Sequence, residues 1–381
     1  MPDQVRVALV CLTLNHGGAE HHLLKLGRAL LGTRIAPVVI PLDREAPNDL
    51  RSQFEAGGIP VVFPPYPRNH VGVISWLSDL LRSGRVDVAH SFLWRPDVTL
   101  ALAARRAGFS HVICSERGDR LASEYWSPGW RGRRLLDRVL TFTTAGKLVS
   151  NSAAGVEAGV RAGCPREKTL VIRNWVDLSL IDSYRAAAGE MRRHYGLGNK
   201  FIFGFVGRLS LAKGALDFVE VARATVSQIP HGTVAFVMVG DGSLRVPLET
   251  AVREQGLEEH FVFTGAVDVS IPLIHALDVG VICSPSESFP NVLLEFMACS
   301  KAVVSTRVGD IADAIEDGFN GHLVPCGSTQ ALANACVGLA EQPETARKMG
   351  RAARQTVETK YRMTACVRQY VQLYEQMAAQ P

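Results

Sequence analysis

Hydrophobic and polar positions alternate along this chain in blocks. Short apolar runs rich in β-branched residues recur, most of them followed by a stretch with helical spacing. In the first half the runs are VRVALVCL, APVVIPL, IPVVFP, VDVAHSF, HVICSE, KLVSNS and TLVIRN. Repeated β-α-β of this kind predicts a parallel sheet with helices on both faces. The pattern breaks between residues 178 and 199, where a polar, arginine-rich helix over 182–195 ends at YGLGNK. A second set then opens: FIFGFVGRL, TVAFVMVGDG, FVFTG, VGVICSP, AVVSTRV and GHLVP. From about Glu341 the pattern is helical only. The expected architecture is α/β, with two doubly wound Rossmann-like domains facing across a cleft. Their expected bounds are 1–180 for the first, 181–199 for a linker, 200–355 for the second and 356–381 for a closing helix.

Composition narrows the reading. At 381 residues the chain is too long for one ordinary core, which agrees with two domains. The net charge of +4 gives no strong basic stripe, so no nucleic-acid partner is expected. The eight cysteines form no C-x-x-C pair and no zinc spacing, and most sit in apolar runs as small hydrophobes. Free thiols fit a cytoplasmic protein. The start, MPDQVRVALVCL, has no signal-peptide pattern, and no apolar run is long enough to span a bilayer.

Open α/β sheets bind ligands beyond the carboxyl ends of their strands, so chemistry is sought there. After the first run comes LNHGGAEHH, where Gly17-Gly18 permit a tight turn into a helix, a ready anion site. A plain turn is the equal alternative. After FIFGFV comes GRLSLAKG, with Arg208 and Lys213 flanking a short loop. Two fixed cations suit a diphosphate, although alone they would more often be a solvated turn. After VGVIC comes SPSESFPNVLLEF, with Glu287 and Glu295 separated by seven residues. Asn291 is expected to cap the helix that follows, freeing the amides of Val292 and Leu293 for a phosphate oxygen. Glu295, one turn deeper on the face of Asn291, can accept both hydroxyls of a ribose. Glu287 can then reach the unit beyond the diphosphate. The bland alternative is one loop glutamate and one surface glutamate.

Together these residues resemble the retaining glycosyltransferases of family 4, built on the two-Rossmann-domain GT-B fold. The resemblance runs through GGAE, SNSAAG (150–155), VIRNWVD (171–177), VGRLSLAKG, VGDGSL, FTGAVD, SESFPNVLLE and STRVGDIAD. It implies that Arg208 and Lys213 hold the diphosphate of a nucleotide-sugar donor, UDP- in preference to GDP-. Glu295 then takes the ribose, Glu287 the transferred sugar, and Asn291, Val292 and Leu293 contribute backbone. Glu287, Arg208 and Lys213 carry the catalytic roles. Gly17 and Gly18 lie near the sugar-phosphate from the opposite wall. No metal or other cofactor is implied, because the cations and the helix dipole neutralise the leaving group. The last helix is implied to cross back onto the first domain.

The sequence departs from the family in one place. Where many members carry a histidine in a T-x-H context, this chain has VICSERGDR. That places Glu116 and Arg117, with His90 of VDVAHSF, on the acceptor side, although His90 also reads as a packed strand-end residue. The S-E-R variant resembles members that build surface glycans on lipid carriers. The segment RGDRLASEYWSPGWRGRRLLDRVLTF sets Tyr125, Trp126 and Trp130 among arginines. Aromatic rings and arginines suit an anionic membrane surface, so the region Trp126–Arg138 is expected to lie on the inner face of the plasma membrane. An ordinary basic packed helix is the equal alternative. Two other functions stay open: a sugar-nucleotide epimerase on the same fold, and a two-lobed sugar- or nucleotide-binding protein without catalysis.

Overall fold

The computed structural model describes residues 4–15, 17–43, 50–65, 69–117 and 130–380. The chain divides into two compact units, one of Met1–Asn174 with Met363–Pro381, the other of Trp175–Arg362.

The first unit holds a six-stranded parallel sheet: β1 (Val5–Cys11), β2 (Ile35–Pro41), β3 (Val88–Phe92), β4 (Val112–Glu116), β5 (Lys147–Ser150) and β6 (Thr169–Val171). Their order is β2-β1-β3-β4-β5-β6, so the winding reverses between β1 and β3. There Leu9 of β1 pairs with His90 of β3. Strands β3 and β4 are buried throughout, as strands covered on both faces must be. The run IPVVFP makes no strand, only one bridge between Val61 and Val39. Pro60 and Pro64 lack the N–H that a ladder needs, which confines such a run to a sheet edge.

The second unit repeats the plan with β7 (Phe201–Val206), β8 (Val234–Val239), β9 (Phe261–Gly265), β10 (Val279–Ile282), β11 (Ala302–Thr306) and β12 (Gly321–Val324). The order β12-β11-β10-β7-β8-β9 puts the reversal between β7 and β10, which pair at Phe203 and Val279. Two apolar clusters carry this unit, one around Ile202, Val237 and Phe296, the other around Phe203, Phe218 and Phe236.

Two boundaries differ from expectation. Residues 181–199 are no linker: Ile181 and Leu197 are buried in the first of those clusters, with Tyr184, Met191 and Tyr195 packed against it. Arg192 fastens the segment further, donating to Asp278 at 2.8 Å and to the carbonyl of Ala276 at 2.9 Å. The helix Pro343–Lys360 also belongs to the second unit, with Ala353 and Val357 in the same cluster. Only the helix Met363–Ala378 returns to the first unit, seven residues later than expected. Val176 bridges Arg362, so the chain enters and leaves the second unit at one place.

Candidate functional site

The site is built from the second unit, where β7 and β10 part. Beyond β7 the backbone of Leu209 exchanges bonds with the next loop, donating to Asp241 at 3.0 Å and accepting from Leu244 at 3.1 Å. Arg208 is thereby held at the exposed rim, and it forms no hydrogen bond or ion pair with the described residues. A short turn, Leu211–Lys213, leads to Gly214 at φ +66°. A Cβ on Gly214 would stand 2.2 Å from the carbonyl oxygen of Cys283. Only glycine fits both that φ and that approach, and it sets Lys213 against the loop after β10.

That loop carries Glu287. Its Oε1 accepts from Lys213 Nζ at 2.6 Å and from Ser284 Oγ at 2.7 Å. The Glu287 side chain is 10% exposed and that of Lys213 38%, so the pair lies at the edge of solvent. Lys213, Ser284 and Glu287 line a cavity of about 30 Å³ with Phe205, Val206 and Val292. This is roughly the share of one water.

The helix Asn291–Ala298 follows. Asn291 does not cap it. Pro290 takes the capping position with φ −72° and ψ 138°, with no side-chain cap, and Asn291 is the first helical residue. Proline suits a helix start because its missing N–H costs nothing there. The first-turn amides, Val292 and Leu293 included, still point out of the helix without intrahelical partners. Glu295 is half-buried four residues on, and Leu293 is fully buried. The sequence order Arg208, Lys213, Glu287, Asn291, Glu295 is thus folded onto adjacent strand ends. Ser284 was not singled out by sequence. Its signal, S-x-x-E immediately after a strand, is short and common.

The first unit disposes of its strand-end polar groups differently. Gly17 precedes the helix Gly18–Leu30 in an extended conformation, φ −150°, and neither glycine has a positive φ. Neither glycine therefore uses the left-handed freedom that only glycine has. Open space surrounds the missing Cβ of Gly18. His90 is fully buried, its Nδ1 sharing a hydrogen bond with Tyr374 Oη at 2.8 Å and its Nε2 with Ser115 Oγ at 2.6 Å. Burial, with the Arg117 charge, holds its pKa well below the imidazole value of 6.5. Arg117 donates to Tyr370 Oη at 3.2 Å and to Asn174 Oδ1, and burial lowers its pKa. Glu116 is 3% exposed. His90 and Glu116 are therefore enclosed within the first unit, His90 against Tyr374 of the helix Met363–Ala378, while Arg117 is half-buried against Tyr370 of the same helix.

Of the basic segment, residues 118–129, Tyr125 and Trp126 among them, lie outside the described residues, as do the side chains of Trp130 and Arg131. Arg133 stacks over the Trp94 ring at 4.9 Å, and Arg134 donates to the carbonyl of Arg161 at 2.6 Å. Leu135 and Val139, one turn apart, are 62% and 51% exposed. Among the described residues no helix is long and apolar enough to cross a membrane.

Known proteins agree with this architecture. The profile of the family described as Glycosyltransferase Family 4 matches residues 16–180, and that of Glycosyl transferases group 1 matches residues 200–342. The N-acetyl-alpha-D-glucosaminyl L-malate synthase of Bacillus anthracis is 27% identical over 55% of this chain and 54% of its own length. The alpha-D-kanosaminyltransferase of Streptomyces kanamyceticus is 30% identical over 50% of each. The chain thus spans about half the length of these curated relatives. In fold the match is complete: the Anabaena protein HepE, solved with UDP-glucose, superposes with a TM-score of 0.85 over 98% of this chain and 100% of its own, at 22% identity. With two six-stranded parallel sheets, and a family profile matching on each, the chain belongs to the group 1/family 4 glycosyltransferases of the GT-B fold.

Proposed function

We propose that the chain moves a sugar from a nucleoside-diphosphate sugar, UDP- in preference to GDP-, to a hydroxyl of a glycan or lipid-linked acceptor in surface polysaccharide or glycolipid synthesis, with retention at the anomeric carbon. The observation that carries this reading is the meeting of Lys213 and Glu287 at 2.6 Å where the second sheet reverses. Cations and a carboxylate from two different strand ends there suit a ligand with an anionic diphosphate and a hydroxyl-bearing sugar. HepE carries UDP-glucose on the same fold, which supports UDP.

In the reaction, the bond between the anomeric carbon and the β-phosphate oxygen breaks, and its electron pair leaves with the diphosphate. The acceptor oxygen bonds to the same face of that carbon, and its proton goes to the departing phosphate oxygen. Arg208, Lys213 and the start of the helix Asn291–Ala298 supply positive potential where that charge develops. Glu295 binds the ribose hydroxyls and Glu287 the sugar. These cations take the part that a divalent ion plays elsewhere, so no metal is required.

A panel of UDP, GDP and their hexose conjugates tests the reading. A ligand present at a hundred times its dissociation constant stabilises by about 2.7 kcal/mol, a clear thermal shift. Donor turnover should persist in EDTA. No shift with any nucleoside diphosphate would overturn the reading, and activity restored only by Mg²⁺ or Mn²⁺ would overturn its metal-free form.

The acceptor side is read as a membrane surface. Leu135 and Val139 stand exposed beside Arg138, an apolar edge with a basic flank on the first unit. Each arginine near an anionic leaflet contributes about 1 kcal/mol. Sedimentation with anionic liposomes should be strong at low salt and decline as salt screens the charges. Protein that stays in the supernatant at low salt would point to a soluble acceptor.

A further inference from the structure

The loop that carries Glu287 is held more firmly than a surface loop needs to be. Ser284, 2% exposed, donates its hydroxyl to Glu287 Oε1 at 2.7 Å, and Lys213 donates to the same oxygen at 2.6 Å. No described hydrogen bond reaches Oε2. The main chain of Ser284 is fixed in turn: Thr306 Oγ1, buried at the end of β11, donates to the Ser284 carbonyl at 2.7 Å. On the other side of the glutamate, the amide of Asp310 donates to the Ser288 carbonyl at 2.9 Å. Between these two bonds Gly309, at φ +50°, comes so close that a Cβ would stand 2.0 Å from the Glu287 carbonyl oxygen. The segment 306–310 thus braces the loop 284–288 at both ends.

The two donors on Oε1 differ in kind. The Lys213 ammonium rides on a flexible four-carbon stem and is itself a diphosphate ligand in the function proposed above. Once a diphosphate draws it away, it no longer orients the glutamate. The Ser284 hydroxyl sits one carbon from a backbone that neighbouring strands hold in place. The last torsion of a glutamate is broad and roughly two-fold, so a carboxylate without an anchor would turn freely. We propose that Ser284 is the positioning residue of the sugar-binding carboxylate. It fixes Oε1, so that Oε2 is the oxygen presented to the donor sugar, and it keeps that orientation after Lys213 has moved to the diphosphate. The inference rests on the sugar-binding role of Glu287.

Four proteins test it: wild type, Ser284→Ala, Glu287→Gln and the double variant. Affinities for UDP and UDP-glucose, release of UDP from UDP-glucose, and the thermal midpoint are measured on each, with GDP and GDP-mannose as a second arm. Ser284→Ala leaves the Thr306 bond to the main chain intact, so the fold is kept. UDP affinity should hold within about twofold. Both the affinity that the sugar adds over UDP and the turnover should fall roughly tenfold, the loss of one charge-assisted bond. In the Glu287→Gln background the same substitution should cost clearly less than tenfold, because the neutral amide oxygen accepts only an ordinary hydrogen bond from Ser284. Losses that simply multiply in the double variant, or a Ser284→Ala protein whose UDP affinity falls in parallel with its sugar recognition, would overturn the positioning role. If Glu287→Gln alone leaves sugar recognition and turnover intact, the role of Glu287 itself is wrong and the inference falls with it.

Discussion

The two units carry similar polar side chains at their strand ends, in opposite states. In the first, His90 is bonded to Ser115 and Tyr374, and Arg117 to Asn174 and Tyr370, both tyrosines coming from the last helix. In the second, Arg208 stands exposed, and Lys213 and Glu287 satisfy each other at the edge of solvent. A strand-end residue stays open to a ligand where its partner lies at the edge of solvent rather than inside the core. In the first unit the closing helix supplies partners inside the core, two tyrosines that are fully buried.

The sharpest way to break this contrast is to remove that lid. Tyr374→Ala or Tyr370→Ala should destabilise the protein by about 3–5 kcal/mol, as deletions of large buried rings do. Chemical denaturation measures this, and a loss under 1 kcal/mol would show that the network contributes little. Removing Lys213 or Arg208 should do the reverse. Each Ala variant should bind UDP roughly ten- to a hundredfold more weakly, about 1.5–3 kcal/mol. Its thermal midpoint should stay with the wild type, because these side chains are exposed or nearly so. Unchanged UDP affinity in both variants would sink the diphosphate assignment.

Acid should weaken the first unit, where burial lowers two histidines, more than the second, where it lowers His275. Burial holds His90 and His22 neutral well below the ordinary 6.5. The unfolded chain therefore binds those protons first as the pH falls. Stability is fully present above about 6.5 and is lost below it, by up to about 1.4 kcal/mol per pH unit for each histidine. Denaturation of wild type and His90→Phe between pH 7.5 and 5 checks the sign, and the variant should show the shallower slope. Equal slopes would mean that His90 takes up its proton in the folded state as well. The smallest expected effect is at Glu295. Wild type should prefer UDP over 2′-deoxy-UDP by roughly two- to tenfold, the range of one ordinary hydrogen bond, and Glu295→Gln should narrow that preference. A wild type blind to the 2′-hydroxyl would remove the ribose role.

Much of the architecture was legible because buried parallel strands write continuous apolar runs. The run that failed, IPVVFP, failed for a local reason, its two prolines. The segment 181–199 failed for a non-local one. Its amphipathic spacing announces a helix without saying which core the apolar face will cover, and Ile181 and Leu197 cover that of the second unit. In the site, the order of Arg208, Lys213, Glu287 and Glu295 could be read along the chain, since each follows a strand. The pairing of Lys213 with Glu287, 74 residues apart, could not.

The sequence by itself determined most of the elements, the two-unit plan and the chemical types present at the strand ends, because periodicity, turn residues and charge are local properties. Only the tertiary structure decided which of those groups are ready for a ligand. His90 and Lys213 look alike in the sequence as basic residue types near strand ends. One is enclosed by a tyrosine contributed from 284 residues away, and the other stays at the rim. Burial and hydrogen-bond partnership are set by segments remote in the chain, and they settle whether a polar group holds the fold together or remains available for chemistry.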